Sequence, residues 1–201
     1  MKYFLISLSA AIVLFVSACG NRKSAADASP ETHQTQQDTA TKKYYPVADW
    51  IRSEISYVDS TPLAIVQSST IDNRKDSGFI TPAQFQHQAA QFLVPGLEAD
   101  SLEKNFTENS FFDKTTGFLT FTYSTRDKGL PLQRVDVLVA KGDLASRVKS
   151  VYIETFGYAG DTVVTKKMFW TSRHDFLVLT NLQPKGKPAI MRQLKVVWDG
   201  D

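Results

Sequence analysis

The sequence predicts an α+β domain: a curved antiparallel meander of about six or seven strands with two or three N-terminal helices packed on one face. Three observations carry this expectation. Apolar residues recur at helical spacing in the first part of the domain, from Tyr44 to Val94. From Phe111 to Trp198 the period changes to two. The gaps between the alternating runs are short, which suits consecutive hairpins and leaves no room for crossover helices.

Pro46 fits the first turn of a helix in which Val47, Ile51, Ile55 and Val58 are spaced to line one face. Thr61-Pro62 stops it, and Leu63 to Ile71 reads as a strand. Asp72 to Gly78 is polar and reads as a turn region. The clearest helix start follows, with Thr81 as N-cap, Pro82 at the first helical position and Gln84 completing a capping box. Phe85, Ala89 and Phe92 line one face of that helix, His87 falls on the polar face, and Val94-Pro95-Gly96 ends it.

Strand-like alternation then runs through Leu119, Phe121 and Tyr123, and again through Val135, Val137 and Val139. Further strands are expected over Val148–Phe156, Thr162–Thr171, Phe176–Leu182 and Ile190–Trp198. Turn-like pieces separate them at Arg126–Gly129, Lys141–Ser146, Gly157–Asp161, Arg173–Asp175 and Pro184–Lys187. Aromatic residues are plentiful on this sheet: Phe111, Phe112, Tyr152, Phe156, Tyr158, Phe169, Trp170 and Trp198. Most of them are expected in the core.

The chain begins differently. Met1-Lys2-Tyr3 precedes a mostly apolar run from Phe4 to Val16, and Ser17-Ala18-Cys19 closes it. A basic start, an apolar centre and small residues at the end are the three parts of a secretory signal. The run is too short for a permanent span, which needs roughly 20 apolar residues. Cys19 is the only cysteine in the sequence.

Val16-Ser17-Ala18-Cys19 resembles the lipobox of bacterial lipoproteins. That resemblance implies lipidation of Cys19 by a diacylglycerol thioether, cleavage before it, and an acyl chain such as palmitate on the new amino terminus. Two or more chains are what stable anchoring requires. Gly20-Asn21-Arg22-Lys23 follows, with no acid until Asp27. In the lipoproteins it resembles, this context permits transport to the outer membrane, facing the periplasm. With Cys19 acylated, the mature chain has no route to a disulfide, a thiolate metal site or a cysteine nucleophile.

The expected organisation is therefore a signal peptide over 1–18, a lipidated, disordered tether over 19–43 and a single α+β domain over 44–201. Between Gly20 and Lys43 there is no Leu, Ile, Val, Phe, Tyr or Trp, so the segment has no apolar surface to offset the entropy of ordering. As a flexible coil its ends would lie roughly 25–30 Å apart, enough to lift a domain off the headgroups. His33 lies in this tether without a neighbouring ligand residue.

Loss of Lys2 with the signal leaves 22 basic against 21 acidic residues. Such a balance gives no footprint for nucleic acid. Searching for catalytic constellations returns little. His87 and His174 are far apart in sequence, and His174-Asp175 are adjacent, so on a strand they would point to opposite faces. There is no G-x-S-x-G elbow, P-loop, dinucleotide fingerprint or zinc spacing; Gly157-Tyr158-Ala159-Gly160 is a turn motif. Glu108, Asp113, Asp136 and Glu154 are the carboxylates a glycosidase-type pair would draw on. A symmetric hairpin at Lys141–Arg147 would set Arg134 opposite Glu154 as a cross-strand ion pair.

No catalytic residue, cofactor or metal site is expected on these grounds. The expected role is partner binding or envelope organisation by a membrane-anchored lipoprotein, with an envelope protein as partner. The alternative is a carrier of an apolar ligand, lipid or lipoprotein, inside the curved sheet; an uncharacterised hydrolase is the third reading. A filled core favours partner binding, and an enclosed apolar cavity of about 300 Å³ or more favours the carrier.

Overall fold

The computed structural model describes residues 44–140 and 148–198. Cys19, the expected signal and tether segments, His33 and the turn expected at Lys141–Ser146 lie outside the described residues. The chain runs α1 (Val47–Ser60), β1 (Ile65–Ile71), β2 (Arg74–Phe79), α2 (Pro82–Ala89), a 3-10 turn (Ala90–Phe92) and α3 (Ala99–Asn105). It continues through β3 (Thr107–Asp113), β4 (Phe118–Ser124), β5 (Leu132–Ala140), β6 (Val148–Ala159), β7 (Thr162–Thr171), β8 (Asp175–Pro184) and β9 (Ile190–Trp198). This is an α+β fold with one antiparallel sheet of nine strands in the order β2-β1-β9-β8-β7-β6-β5-β4-β3. From β3 to β9 every neighbour is consecutive, the meander that short gaps imply. The β1–β2 hairpin is added at the free edge of β9, and β2 and β3 do not pair, so the sheet is open.

Nine strands exceed the expected six or seven, and the two additional strands are the two edges. Arg74–Phe79 is a strand, not part of a turn; only Asp72-Asn73 turns, with φ of 47° and 64° at the two positions. Left-handed φ at both central residues is the two-residue hairpin geometry that Asp and Asn tolerate. Every residue of β2 is exposed, and β3 is mostly so. A strand with solvent on both faces has no reason to alternate, so the period-two signal is missing there. Arg74 and Lys75 on β2 suit an edge, since charge discourages pairing with a second sheet.

α2 begins as its sequence dictates. Thr81 Oγ1 accepts the Gln84 N–H at 3.3 Å, and Gln84 Oε1 accepts the Thr81 N–H at 2.8 Å. Phe85, Ala89 and Phe92 are fully buried. Gly96, beyond the 3-10 turn, has φ +96°, and a Cβ there would lie 3.6 Å from Ser101 Oγ, an ordinary contact. Gly96→Ala should therefore cost only backbone strain, about 1–2 kcal/mol in urea denaturation; a loss well above that would mean the chain reversal itself collapses.

The core is aromatic at its centre. Trp170, Phe176 and Trp198 stand on one face of β7, β8 and β9, and Phe85 and Phe92 insert from the helical side. Phe85 lies 5.0 Å from Trp198 and Phe92 lies 4.9 Å from Trp170, both edge-on. The expectation that most sheet aromatics are core fails: of those named, only Trp170 and Trp198 are buried, Tyr152 and Phe156 are half-buried, and Phe111, Phe112, Tyr158 and Phe169 are exposed. Phe111 and Phe112 are on the edge strand β3, Tyr158 is at the tip of β6, and Phe169 is on the face of β7 opposite the helices. Alternation fixes which residues share a face but not whether that face is covered.

Candidate functional site

Long strands outrun the helices. β6 has 12 residues and β7 and β8 have 10 each, while β5 pairs with β6 only as far as Thr155. Directly opposed residues in antiparallel strands share a face, so the sheet's rows can be followed from its register. The row Val151, Trp170, Phe176, Val196 is buried under the helices, and Ile153, Met168 and Val178 follow it. The next row on this face is Thr155, Lys166, Thr180, Arg192, Ile71, Arg74. Beyond it lie Gly157, Val164, Leu182 and Ile190. In these two outer rows every residue is half-buried or exposed.

The helix-facing side is therefore covered at one end and open at the other. At the boundary, the 3-10 turn and the segment after it form an open groove of about 470 Å³. Leu93, Val94, Pro95, Pro131, Val164 and Met168 give it apolar walls, and Lys166 is the only charged residue lining it. Lys166, Arg192 and Arg74 stand on every second strand of one row, so neighbouring cations are about 10 Å apart. None of the three has an ion-pair partner among the described residues. Asp76, one row nearer the helices on β2, and Asp72, in the hairpin turn, are the acids that line the same recess as Arg74.

The residues weighed for catalysis are dispersed. His87 is exposed on α2, and His174 is exposed in the turn between β7 and β8. Arg134 does stand opposite Glu154 in the register, but its ion pair is different: Arg134 Nε meets Asp136 Oδ2 at 2.9 Å, two residues along the same strand. Neighbours at i and i+2 on one face are held together by the strand itself, whereas the cross-strand partner is already engaged. The Tyr152 hydroxyl donates to Glu154 Oε2 at 3.0 Å, and partial burial, then this bond, raises the phenol above the ordinary tyrosine range.

Asp113 is in the β3–β4 turn, where the Thr116 hydroxyl and then the Thr115 N–H hold its carboxyl below the usual value. Glu108 on β3 stands opposite Tyr123 on β4, on the helix-facing side, whereas Asp136 and Glu154 are on the other side of the sheet. No cluster of three or more His, Cys, Asp or Glu able to hold a metal occurs among the described residues. None of the described helices is long and apolar enough to cross a membrane.

One residue that sequence reasoning passed over is Glu54, which is 2% exposed. Its Oε2 accepts the backbone N–H of Arg173 at 2.9 Å, and its Oε1 lies 3.1 Å from Arg173 Nε. The Arg173 guanidinium in turn stacks 3.6 Å above the centre of the Tyr57 ring. Arg173 has φ +59°, so α1 grips the β7–β8 turn at its strained residue. A signal for this was present. Val47, Ile51, Glu54 and Val58 continue one helical stripe and are all buried, while Ile55, placed on the stripe by sequence, is only half-buried.

No protein-family model matches this chain, and none of the curated proteins or solved structures matches it.

Proposed function

We propose that the chain is a lipid-anchored envelope protein, attached through Cys19 to the outer membrane on its periplasmic side, whose domain over 44–201 is a non-catalytic binding module. The observation that carries the anchor is the placement of the only cysteine directly after an apolar run and the small residues Ser17-Ala18. The binding role is supported by the open half of the helix-facing sheet surface, where cations without an ion-pair partner among the described residues and half-exposed aliphatics lie side by side.

Partner binding is favoured over enclosed carriage of an apolar ligand because the buried residues form a cluster with aromatic rings at its centre, and the groove beside it is open to solvent. His87 and His174 are exposed on separate elements and lend the hydrolytic reading no support. Cys19→Ala should leave a precursor of unchanged length and abolish labelling by a fatty-acid analogue in cells. Continued labelling of the variant would sink the lipoprotein assignment.

A further inference from the structure

We infer that the open half of the helix-facing surface, between the 3-10 turn and the tip of the β1–β2 hairpin, receives an acidic amphipathic helix from a partner protein. The inference rests on the binding-module reading and specifies its partner. Two parallel lines of side chains cross the strands there: the cations Lys166, Arg192 and Arg74, and beside them the aliphatics Val164, Leu182 and Ile190. A ligand matching both must carry an apolar stripe with acids along one edge, over a length of several strands.

A helix has the right repeats. Val164, Leu182 and Ile190 stand on consecutive strands, about 4.8 Å apart, close to the 5.4 Å pitch at which apolar residues recur on a helix face. The cations, about 10 Å apart, match acids at i and i+7, whose rise is about 10.5 Å. An extended peptide turns successive residues to opposite faces and offers no such pair of parallel lines. The fold itself favours the same layer, since a helix laid here would continue the cover that α1 and α2 provide over the inner rows.

The chain's own remaining segments do not have this chemistry. Residues 20–43 have no Leu, Ile, Val, Phe, Tyr or Trp, the apolar run from Phe4 to Val16 has no acid, and 141–147 and 199–201 are too short for such a helix. A second copy in face-to-face contact would set cations against cations. A partner carrying carboxylates is the complement.

The test uses the full chain reconstituted in phosphatidylcholine vesicles and two synthetic amphipathic helices of about 21 residues with identical leucine stripes. One carries Glu at three positions spaced by seven along the stripe's edge, and the other carries Lys there. By fluorescence anisotropy the acidic peptide should bind at least tenfold more tightly than the basic one, and less tightly as salt rises. The double variant Lys166→Glu, Arg192→Glu should invert the preference, an outcome only a folded protein can give. Equal affinity for both peptides, no binding, or an unchanged preference in the double variant would overturn the inference. Displacement of the peptide by separately added phosphatidylglycerol vesicles, and not by phosphatidylcholine ones, would assign the face to the lipid surface and overturn it equally. Fatty-acid labelling at Cys19 reports separately on the anchor, so failure of one leaves the other legible.

Discussion

Trp170→Ala is expected to lower the unfolding free energy by about 3–5 kcal/mol, a large part of what a domain of this size possesses. Trp170 is fully buried and its ring meets those of Trp50, Phe85, Phe92, Phe176 and Trp198 at centroid distances of 4.9–6.4 Å. Its ring meets rings of α1, α2 and the 3-10 turn together, so truncation leaves a cavity facing three elements that cannot all close in. Its indole Nε1 has no hydrogen-bond partner among the described residues. The loss should therefore be one of packing, and Trp170→Phe, which keeps a ring and removes a costly unpaired N–H, should cost roughly half as much. Urea denaturation of the two variants separates the contributions. Equal losses would mean that the N–H is satisfied, for example by a buried water.

The parts of this fold that could be read from the sequence are those set by near neighbours. The Thr81-Pro82-Gln84 start needs only four residues to define it, and the central strands declare themselves because one face is buried and the other is wet. β2 and β3 were hidden for the opposite reason: at an edge both faces are wet, and hydrogen bonding to β1 or β4 leaves no mark on side-chain pattern. Arg134 shows the limit on a finer scale. Its register opposite Glu154 followed from the chain, but its partner was decided by local competition, in which Tyr152 engages Glu154 and Asp136 takes the guanidinium.

The candidate face was not legible at all. Val164, Leu182 and Ile190 look like core in the sequence, and nothing local states where the helical layer stops. The row Lys166, Arg192, Arg74 exists only once five strands are in register, because its members come from opposite ends of the domain. Glu54 is intermediate: a charge on a buried helical stripe announces that some partner must exist, though not that the partner is a turn far along the chain.

Glu54→Ala is expected to destabilise the protein by about 2–3 kcal/mol, and more than Arg173→Ala does. The two side chains are unequal, since that of Glu54 is 3% exposed and that of Arg173 is 48% exposed. A half-exposed ion pair by itself contributes little, at most about 1 kcal/mol. What Glu54 adds is an acceptor for the Arg173 N–H, at a residue whose left-handed φ of +59° costs roughly 1–2 kcal/mol to maintain. Removing the carboxylate frees that strained turn from α1. Removing the Arg173 side chain instead admits water to the carboxylate while the backbone bond stays in place.

Arg173→Gly should accordingly cost less than Arg173→Ala, because glycine adopts the left-handed conformation without penalty. Hydrogen exchange should show the Glu54→Ala loss concentrated in the β7–β8 turn, with α1 amides following it. If Glu54→Ala and Arg173→Ala were equally costly and Arg173→Gly no better, the energy would lie in the charge pair itself. The link from α1 to the turn would then be electrostatic and screened by salt, instead of a backbone anchor that salt leaves untouched.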